Sequence, residues 1–242
     1  MRQRIVNAPL VRRAGLHYRM EFMKVLSLKK DEVTPWLLQK HYAKRIPPIS
    51  YAFGLFAPDL VGVVTYGVPS SSTLRSGICG DQWKNNVLEL NRLVCNEGKN
   101  YASFLVANSL KHLPHPTIVV SYADLAMGHV GYIYQATNFV YTGLSLKKQD
   151  YKIRGMEHLH NQTINDMAKG QEDRVAWLKA KFGNDFYMEE RSRKHRYVFF
   201  CGNKYQKRQM LNDLKYQIEP YPKGETKKYD AGGIVSTQHL LF

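Results

Sequence analysis

Cysteine is scarce in this sequence, with 3 among 242 residues, at positions 79, 95 and 201. An odd number of cysteines without a CxxC pair does not favour a disulfide framework, and it fits a reducing cytoplasm. The three side chains are interpreted as ordinary thiols inside the fold, because cysteine packs like a small apolar residue.

Long apolar runs are also lacking, so the sequence offers no candidate for a membrane-spanning helix. The Arg-rich residues 1–20 contain no apolar segment of the kind that marks a secretory signal. Several catalytic signatures are missing as well: the Walker P-loop, the HxE and PCxxC pair of zinc deaminases, the Asn/Asp-Pro-Pro-Tyr methyltransferase motif and the GxSxG elbow.

Acidic residues are outnumbered, because 35 Lys and Arg face 20 Asp and Glu and give a net charge of +15. Such a balance attracts polyanions, since neutralised phosphates release counterions. Residues 191–228 alone hold 11 basic and 3 acidic residues, interleaved with tyrosine and phenylalanine. The charge predicts a nucleic-acid partner, and residues 1–20 are either a DNA-binding arm or a solvated tail. The predicted DNA contacts are Arg191, Arg193, Lys194, Arg196, Lys204, Lys207 and Arg208.

The stretch 86–143 organises the chain. Its pattern predicts, in order, strand 86–95, helix 101–113, strand 118–120, helix 128–138 and strand 139–144. On the first strand Glu89 and Asn91 share a face, whereas Arg92 points to the other, because side chains alternate along a strand. A pocket that uses all three therefore requires a bulge or a bend.

The flanking sequence predicts a strand at 21–28 and then a helix over 29–41, with Pro35 in its first turn and Trp36, Leu37, Tyr42 and Ala43 buried. Two apolar runs, 50–56 and 60–67, predict a hairpin, and residues 68–83 are interpreted as a loop. Further along, the patterns predict helix 171–182, strands 186–190 and 194–201, and helix 203–214.

The predicted fold class is therefore α/β (α+β), with a sheet flanked by helices and a basic C-terminal embellishment. We expect a single domain over residues 1–228. Its parts are a core at 21–145, an insertion at 146–184 and a basic segment at 185–223, followed by a loose tail at 229–242.

Two resemblances rest on specific residues. The segment YQATNF, residues 134–139, resembles the Tyr-x-x-x-Gly-Phe signature of the GCN5-related N-acetyltransferase (GNAT) superfamily. The strings ELNRL, KNYASFL, SYAD, GHVGYIYQATNF and RKHRYVFF are similar to the Mom DNA-modification proteins of Mu-like bacteriophages, over residues 31–223. The GNAT resemblance implies a central mixed, mostly antiparallel sheet. The Mom resemblance implies double-stranded DNA as the partner and conversion of its adenine to N6-carbamoylmethyladenine, which protects phage DNA from restriction in the host cytoplasm.

The resemblance also implies a set of catalytic residues: His41, Asp124, Tyr134 and Arg92. Tyr134 falls where GNAT enzymes have the phenol that protonates the leaving group. Asp124 either caps the following helix, as aspartate often does, or orients the target amine.

A donor site is implied at the loop before residue 101, where GNAT enzymes bind pyrophosphate through backbone N–H groups. Its implied residues are Lys99, Ala102, Ser103 and Ser121. Only Ala102 fits the GNAT loop pattern, since Glu97 replaces a basic or amide residue and Asn100 replaces a glycine. Acyl-CoA is therefore disfavoured. A glycine-derived donor, small or carrier-bound, is the hypothesis, because the atoms N–CH2–CO of the product match glycine.

The remaining implied substrate contacts are Glu89, Asn91, His129, Tyr132 and Gln135. His129 and Tyr132 are expected to share a helical face, being three residues apart. If iron is used, His41, Asp124 and His129 are the hypothesised ligands, as in two-histidine, one-carboxylate sites. The alternatives are a conventional N-acetyltransferase and a non-catalytic DNA-binding protein, and a homodimer stays open.

Overall fold

A computed structural model describes residues 23–41, 45–159 and 161–224. The basic arm at 1–20, the tail at 229–242 and the predicted stripe residues Tyr42 and Ala43 lie outside this part of the chain. The described residues fall into two compact units, and each is treated separately below. The first contains 23–120 and 199–215, and the second contains 121–198 and 216–224.

Nine strands are present in the described chain: β1 (Lys24–Ser27), β2 (Tyr51–Phe56), β3 (Leu60–Gly67), β4 (Val87–Cys95), β5 (Thr117–Asp124), β6 (Val140–Leu144), β7 (Lys148–Ile153), β8 (Phe186–Arg191) and β9 (Lys194–Cys201). Seven form one sheet in the order β1-β2-β3-β4-β5-β9-β6, and β7 pairs with β8. The β4–β5 pair is parallel, whereas β1–β2, β2–β3, β3–β4 and β6–β9 are antiparallel. The prediction of a mixed, mostly antiparallel sheet is confirmed.

Seven α-helices accompany these strands: α1 (Lys30–Gln39), α2 (Ser72–Cys79), α3 (Tyr101–Ser109), α4 (Tyr132–Ala136), α5 (Asn161–Met167), α6 (Arg174–Phe182) and α7 (Lys204–Asn212). No helix in the described ranges is both long and apolar enough to cross a membrane.

The two faces of the sheet in the first unit are covered by different helices. Val33 and Leu37 of α1 pack with Val63 and Val94. On the opposite face the Tyr66 hydroxyl lies 2.6 Å from the hydroxyl of Ser109 in α3. Helices therefore flank this part of the sheet on both sides, as the sequence predicted.

Helix α1 begins too early in the sequence for Pro35 to lie in its first turn. The Glu32 carboxylate accepts a hydrogen bond from the Lys29 amide at 2.6 Å, which fixes the start of the helix at Lys30. Pro35 consequently lies in the second turn, so the prediction of a first-turn proline is wrong.

Strand β4 contains the bulge that its polar residues required. Thr65 of β3 is paired with Arg92, and Tyr66 is paired with Leu90, which leaves Asn91 as an extra residue. The extra residue reverses the alternation beyond it. Glu89 and Arg92 therefore lie on the same face as Thr65, the face that α1 covers.

The interpretation of residues 68–83 as a loop is wrong, because α2 occupies Ser72–Cys79 and a 3-10 helix follows at Asp81–Asn86. The Ser71 hydroxyl accepts a hydrogen bond from the Leu74 amide at 3.1 Å and caps the helix. Burial of Ile78 and Cys79 holds the helix in place. Because residues in this segment are mostly small, the sequence analysis missed the helix cap and the apolar turn that follows it.

Residues 146–191 of the second unit form more structure than the predicted helix 171–182 and strand 186–190. The antiparallel β7–β8 pair and helices α5 and α6 enclose a separate small core of Ile153, Ile164, Ala168, Leu178 and Phe186. Asp173 caps α6 through the Ala176 amide, at 2.9 Å. The sequence analysis missed β7 and α5, in which apolar residues are few.

The helix expected at 128–138 is much shorter. Strand β5 continues to Asp124, a 3-10 helix spans Leu125–Met127, and α4 starts only at Tyr132. Gly128 and Gly131 have φ angles of 65° and 78°, a left-handed conformation that interrupts the helix. His129 is outside α4, so the prediction that it shares a helical face with Tyr132 is wrong.

Candidate active site

Tyr134, a predicted catalytic residue, lies in the interior of the second unit. Its side chain is completely buried, and the Ser121 hydroxyl donates a hydrogen bond to its phenol oxygen at 2.7 Å. Its ring packs against Phe139 and Tyr197, with centroids at 5.3 and 5.1 Å. Ser121, predicted to bind the donor, thus contacts the predicted acid and fixes the direction of its phenol group.

The Asp124 carboxylate, in the same unit, has several polar partners. Its carboxylate accepts hydrogen bonds from the Ala126 amide at 3.0 Å and from the Ser192 hydroxyl at 2.6 Å. The Lys194 ammonium lies 3.4 Å away. Partial burial raises the pKa of the Asp124 carboxyl, but these partners outweigh it, and the net shift is below the ordinary value. Asp124 therefore caps a turn and is also held as a carboxylate near neutral pH.

A column of aromatic side chains continues from Tyr134 into the interior of the second unit. Tyr197 packs against Tyr134 and against Tyr141, whose ring centroid is 5.2 Å away. The Tyr141 hydroxyl lies 2.8 Å from Nδ1 of the buried His195. Burial lowers the pKa of His195 and raises the pKa of Tyr197 to about 12. His195 and Tyr197 are therefore uncharged at neutral pH.

The sequence analysis did not single out His195. The signal was the alternation of KHRYVFFC along β9, which places His195 and Tyr197 on one face. A histidine on the buried face of a strand needs a polar partner, and Tyr141 supplies one.

Gln135 is engaged within the protein. Its amide nitrogen lies within hydrogen-bonding distance of the Val130 carbonyl at 3.1 Å, the Tyr197 hydroxyl at 3.2 Å and the Pro222 carbonyl at 3.2 Å. It joins α4 to β9 and to the chain at 216–224. Tyr132 is exposed, and His129 is half-buried. The His129 amide donates a hydrogen bond to the Asp124 carbonyl at 3.2 Å.

The first unit holds the other predicted catalytic residues. His41 is fully buried at the end of α1, and its amide donates to the Trp36 carbonyl at 3.2 Å. Arg92 donates through Nη1 to the Asn91 carbonyl at 2.6 Å. Glu89 and Arg92 lie on the sheet face that α1 covers, so the bulge gives these charged groups a common face.

The Asn91 carboxamide is used on both sides. Its oxygen accepts from the Thr65 hydroxyl at 2.6 Å, and its nitrogen donates to the Pro48 carbonyl at 2.8 Å. Because the side chain is buried, these two bonds attach the segment after α1 to the bulge. Asn91 thereby positions the chain around Arg92.

The predicted donor loop reaches the start of α3. Asn100 has a φ of 64°, the left-handed conformation that asparagine tolerates better than most residues. It therefore adopts the kind of backbone conformation that a glycine would supply. Lys99 is exposed, Ala102 is buried, and the Ser103 hydroxyl donates to the Asn100 carbonyl at 3.2 Å. Glu97 is exposed on the same loop.

The predicted DNA contacts divide into two groups. In the second unit, Arg191 bonds Asp150, Arg193 bonds the Ser145 carbonyl at 2.7 Å, and Lys194 pairs with Asp124. Arg196 donates to Thr142 and stacks on Tyr216 at 3.3 Å. In the first unit the predicted contacts lie on the exposed surface of α7, namely Lys204, Lys207 and Arg208.

No group of three or more His, Cys, Asp or Glu side chains able to hold a metal ion occurs within the ranges that the structure describes. The iron ligand set of His41, Asp124 and His129 therefore stays a hypothesis drawn from residue types.

These observations describe an α/β protein with buried hydroxyl and ionisable side chains and a cationic surface helix. The chain belongs to the Mom protein family, whose model matches residues 23–223. It is similar to the methylcarbamoylase Mom of Escherichia phage Mu, with 29% identity over 209 residues. That alignment covers 81% of this chain and 84% of the phage Mu protein.

Proposed function

We propose that this protein is a DNA-modifying transferase that converts adenine to N6-carbamoylmethyladenine and so protects phage DNA from restriction in the host cytoplasm. The observation that carries the proposal is the 29% identity to a methylcarbamoylase over 84% of that enzyme's length. The basic composition supports DNA as the substrate, because a net charge of +15 favours a polyanionic partner.

The reaction forms a bond between N6 of adenine and the methylene carbon of a CH2–CONH2 group. N6 loses a proton, and the leaving group of the donor departs with the electrons of the broken bond. Asp124 suits the amine side of this step, because a carboxylate with a lowered pKa accepts a hydrogen bond from N6–H. Tyr134 is the acid that protonates the leaving group, with Ser121 directing its phenol. His41 and Arg92 complete the proposed catalytic set.

The donor is proposed to be derived from glycine, bound at the loop before α3 in a fold of the GNAT type. The left-handed Asn100 supports an approach of the donor to the helix start, where backbone N–H groups favour anions. The acidic Glu97 disfavours the pyrophosphate of acyl-CoA. Growth on isotopically labelled glycine should label the modified base, and modified base without label would remove glycine as the source.

Mass spectrometry of intact nucleosides tests the function directly. DNA from cells that express the protein should contain deoxyadenosine heavier by one C2H3NO unit. Variants His41→Ala and Tyr134→Phe should lose this nucleoside while duplex DNA binding is kept. Absence of the modified nucleoside from the DNA of cells that express the wild-type protein would contradict the proposal. Acetyl-CoA binding, measured by calorimetry, would then favour an N-acetyltransferase.

A further inference from the structure

The most exposed large apolar side chain of the described residues is Leu146, with 79% of its surface accessible. It lies in the loop between β6 and β7 and is followed by Lys147 and Lys148, both exposed. An isolated exposed leucine needs no explanation, but two further exposed apolar side chains lie on the turn after β5. Leu125 is 41% exposed and Met127 is 47% exposed.

The Leu146 loop is firmly attached at its base. The Ser145 amide donates to the Lys194 carbonyl at 2.8 Å, and the Lys194 amide donates to the Ser145 hydroxyl at 3.0 Å. Arg193 donates to the Ser145 carbonyl at 2.7 Å. These three bonds fix the residue before Leu146, so the leucine projects from an anchored position.

The turn at Leu125–Met127 is bound to the same segment. The Leu125 amide donates to the Arg193 carbonyl at 3.2 Å, and the Ala126 amide donates to the Ser192 hydroxyl at 2.9 Å. Three exposed apolar side chains thus belong to two segments that are both bonded to residues 192–194. The same segment carries Lys194, which pairs with the candidate catalytic Asp124 at 3.4 Å.

We infer that Leu146, assisted by Leu125 and Met127, is a wedge that enters the base stack of duplex DNA and holds the target adenine out of it. The inference rests on the proposed function, since a base modified at N6 must leave the duplex. DNA-bending proteins insert apolar side chains between base steps in this way, while neighbouring cations hold the phosphates. Lys147 and Lys148 give the loop positive charge, and Lys147 also lies 3.7 Å from Glu190 in an exposed ion pair.

The wedge explains why an apolar side chain lies exposed among charged groups. Base extrusion costs unstacking energy. A side chain that fills the vacated space offsets part of this cost, and it must be exposed before DNA binds. Its attachment to the segment that pairs with Asp124 places wedge and candidate site on one hydrogen-bonded network.

The test measures extrusion without any chemistry. The full-length protein is mixed with duplexes that carry 2-aminopurine in place of adenine in every nearest-neighbour context. Its fluorescence rises when the base unstacks, and anisotropy of the same duplexes reports binding. Wild-type protein should raise the fluorescence in at least one context. Leu146→Ala should bind within about twofold of wild type, as an exposed contact allows, yet lose most of this rise.

Three controls separate the wedge from other roles of the loop. Leu146→Phe should keep the rise, because a larger apolar side chain still fills the gap. Leu38→Ala removes a leucine that is 41% exposed on α1 and should leave the rise unchanged. On a duplex with an abasic site opposite the 2-aminopurine, wild type and Leu146→Ala should give equal fluorescence, since the base is already unpaired.

If Leu146→Ala raises the fluorescence as much as the wild-type protein does, the wedge is overturned. It is also overturned if the wild-type protein binds without a rise in any context, or does not bind the duplexes. A change in oligomeric state of Leu146→Ala, measured by light scattering, would assign the loop to a protein contact and overturn it as well. Failure of the proposed function is read separately, as absence of the modified nucleoside from cellular DNA.

Discussion

The buried phenol of Tyr134 and the buried imidazole of His195 stand at opposite ends of one aromatic column, and they have different roles. The Tyr134 oxygen is bonded to the hydroxyl of Ser121, a side chain that could be exchanged for a substrate group. The His195 nitrogen is bonded to Tyr141 deep in the same unit. We therefore propose a chemical role for the Tyr134 end and structural support for the His195 end.

Replacement of Tyr134 tests the first of these roles. Tyr134→Phe removes only the phenol oxygen, so we expect modified deoxyadenosine to fall by about 10²-fold or more, the range for a lost general acid. Tyr141→Phe is the matched control, since it removes a buried phenol from the same column and should keep most of the modification. The nucleoside mass spectrum of cellular DNA measures both. Equal losses in the two variants would mean that the column is needed only for folding.

His195 should make the stability of the protein depend on pH. Burial lowers its pKa in the folded state, so the unfolded chain binds more protons between the folded and unfolded pKa values. Its contribution is fully present above the unfolded value of about 6.5 and is lost as pH falls toward the folded pKa. Chemical denaturation from pH 8 to 5.5 should show this loss, and His195→Gln should flatten the curve between about pH 6.5 and 5.5. An unchanged slope in His195→Gln would assign the pH dependence to other groups.

At the scale of elements, the bulge of β4 decides which side chains share a face. Regular alternation separates Glu89 from Arg92, and the extra residue at Asn91 brings them together. Gly67 of β3 lies against the same junction: a Cβ there would be 1.9 Å from the Pro48 carbonyl oxygen. The bulge, Gly67 and the segment at 45–50 are therefore packed as one structure.

Asn91→Ala should reveal how much this junction contributes to stability. It leaves the Thr65 hydroxyl and the Pro48 carbonyl without their partners, and such losses cost about 1–3 kcal/mol in buried positions. The free energy of unfolding, from urea titration, should fall by that amount. Asn85→Ala, at an exposed position, should change it by less than about 0.5 kcal/mol. If the two variants are equally stable, the bulge does not depend on its asparagine.

Sequence patterns predicted the elements whose apolar period is long and unbroken. Strands β2, β3, β4 and β9 and helices α3 and α7 begin and end within a few residues of their predicted limits. The failures share a physical cause: in α2 and β7 the local signal is a single cap or a few apolar residues, and burial comes from distant parts of the chain. The late start of α4, after Gly131, depended on left-handed glycines, whose φ angles the sequence does not fix.

In the candidate site, too, the sequence predicted some features but not others. Residue types and family resemblance singled out Asp124 and Tyr134, but not what each side chain contacts. Only the tertiary structure shows that Ser121 bonds Tyr134 and that Lys194 and Ser192 keep Asp124 ionised. For a pocket that uses Glu89, Asn91 and Arg92, the sequence required a bulge or a bend in β4, and the structure contains a bulge at Asn91.

At the scale of the whole molecule, a net charge of +15 does not mean that every cation is available to phosphate. Arg191 and Arg196 have internal partners in Asp150 and Thr142, so their loss should reduce stability more than DNA affinity. The cations of α7 lie exposed on one short helix. Phosphate neutralisation should therefore depend more on α7 than on β9.

The salt dependence of DNA binding tests this distribution. Replacing Lys204, Lys207 and Arg208 by alanine should weaken binding to all sequences. Each lost phosphate contact should reduce the slope of log K against log salt by about 0.9, because fewer counterions are released. The matched variant replaces three exposed cations of α6 (Arg174, Lys179 and Lys181) and removes the same charge. If α7 contacts the phosphates, only the α7 variant changes the slope, whereas equal slopes for the two variants would show that binding responds to net charge alone.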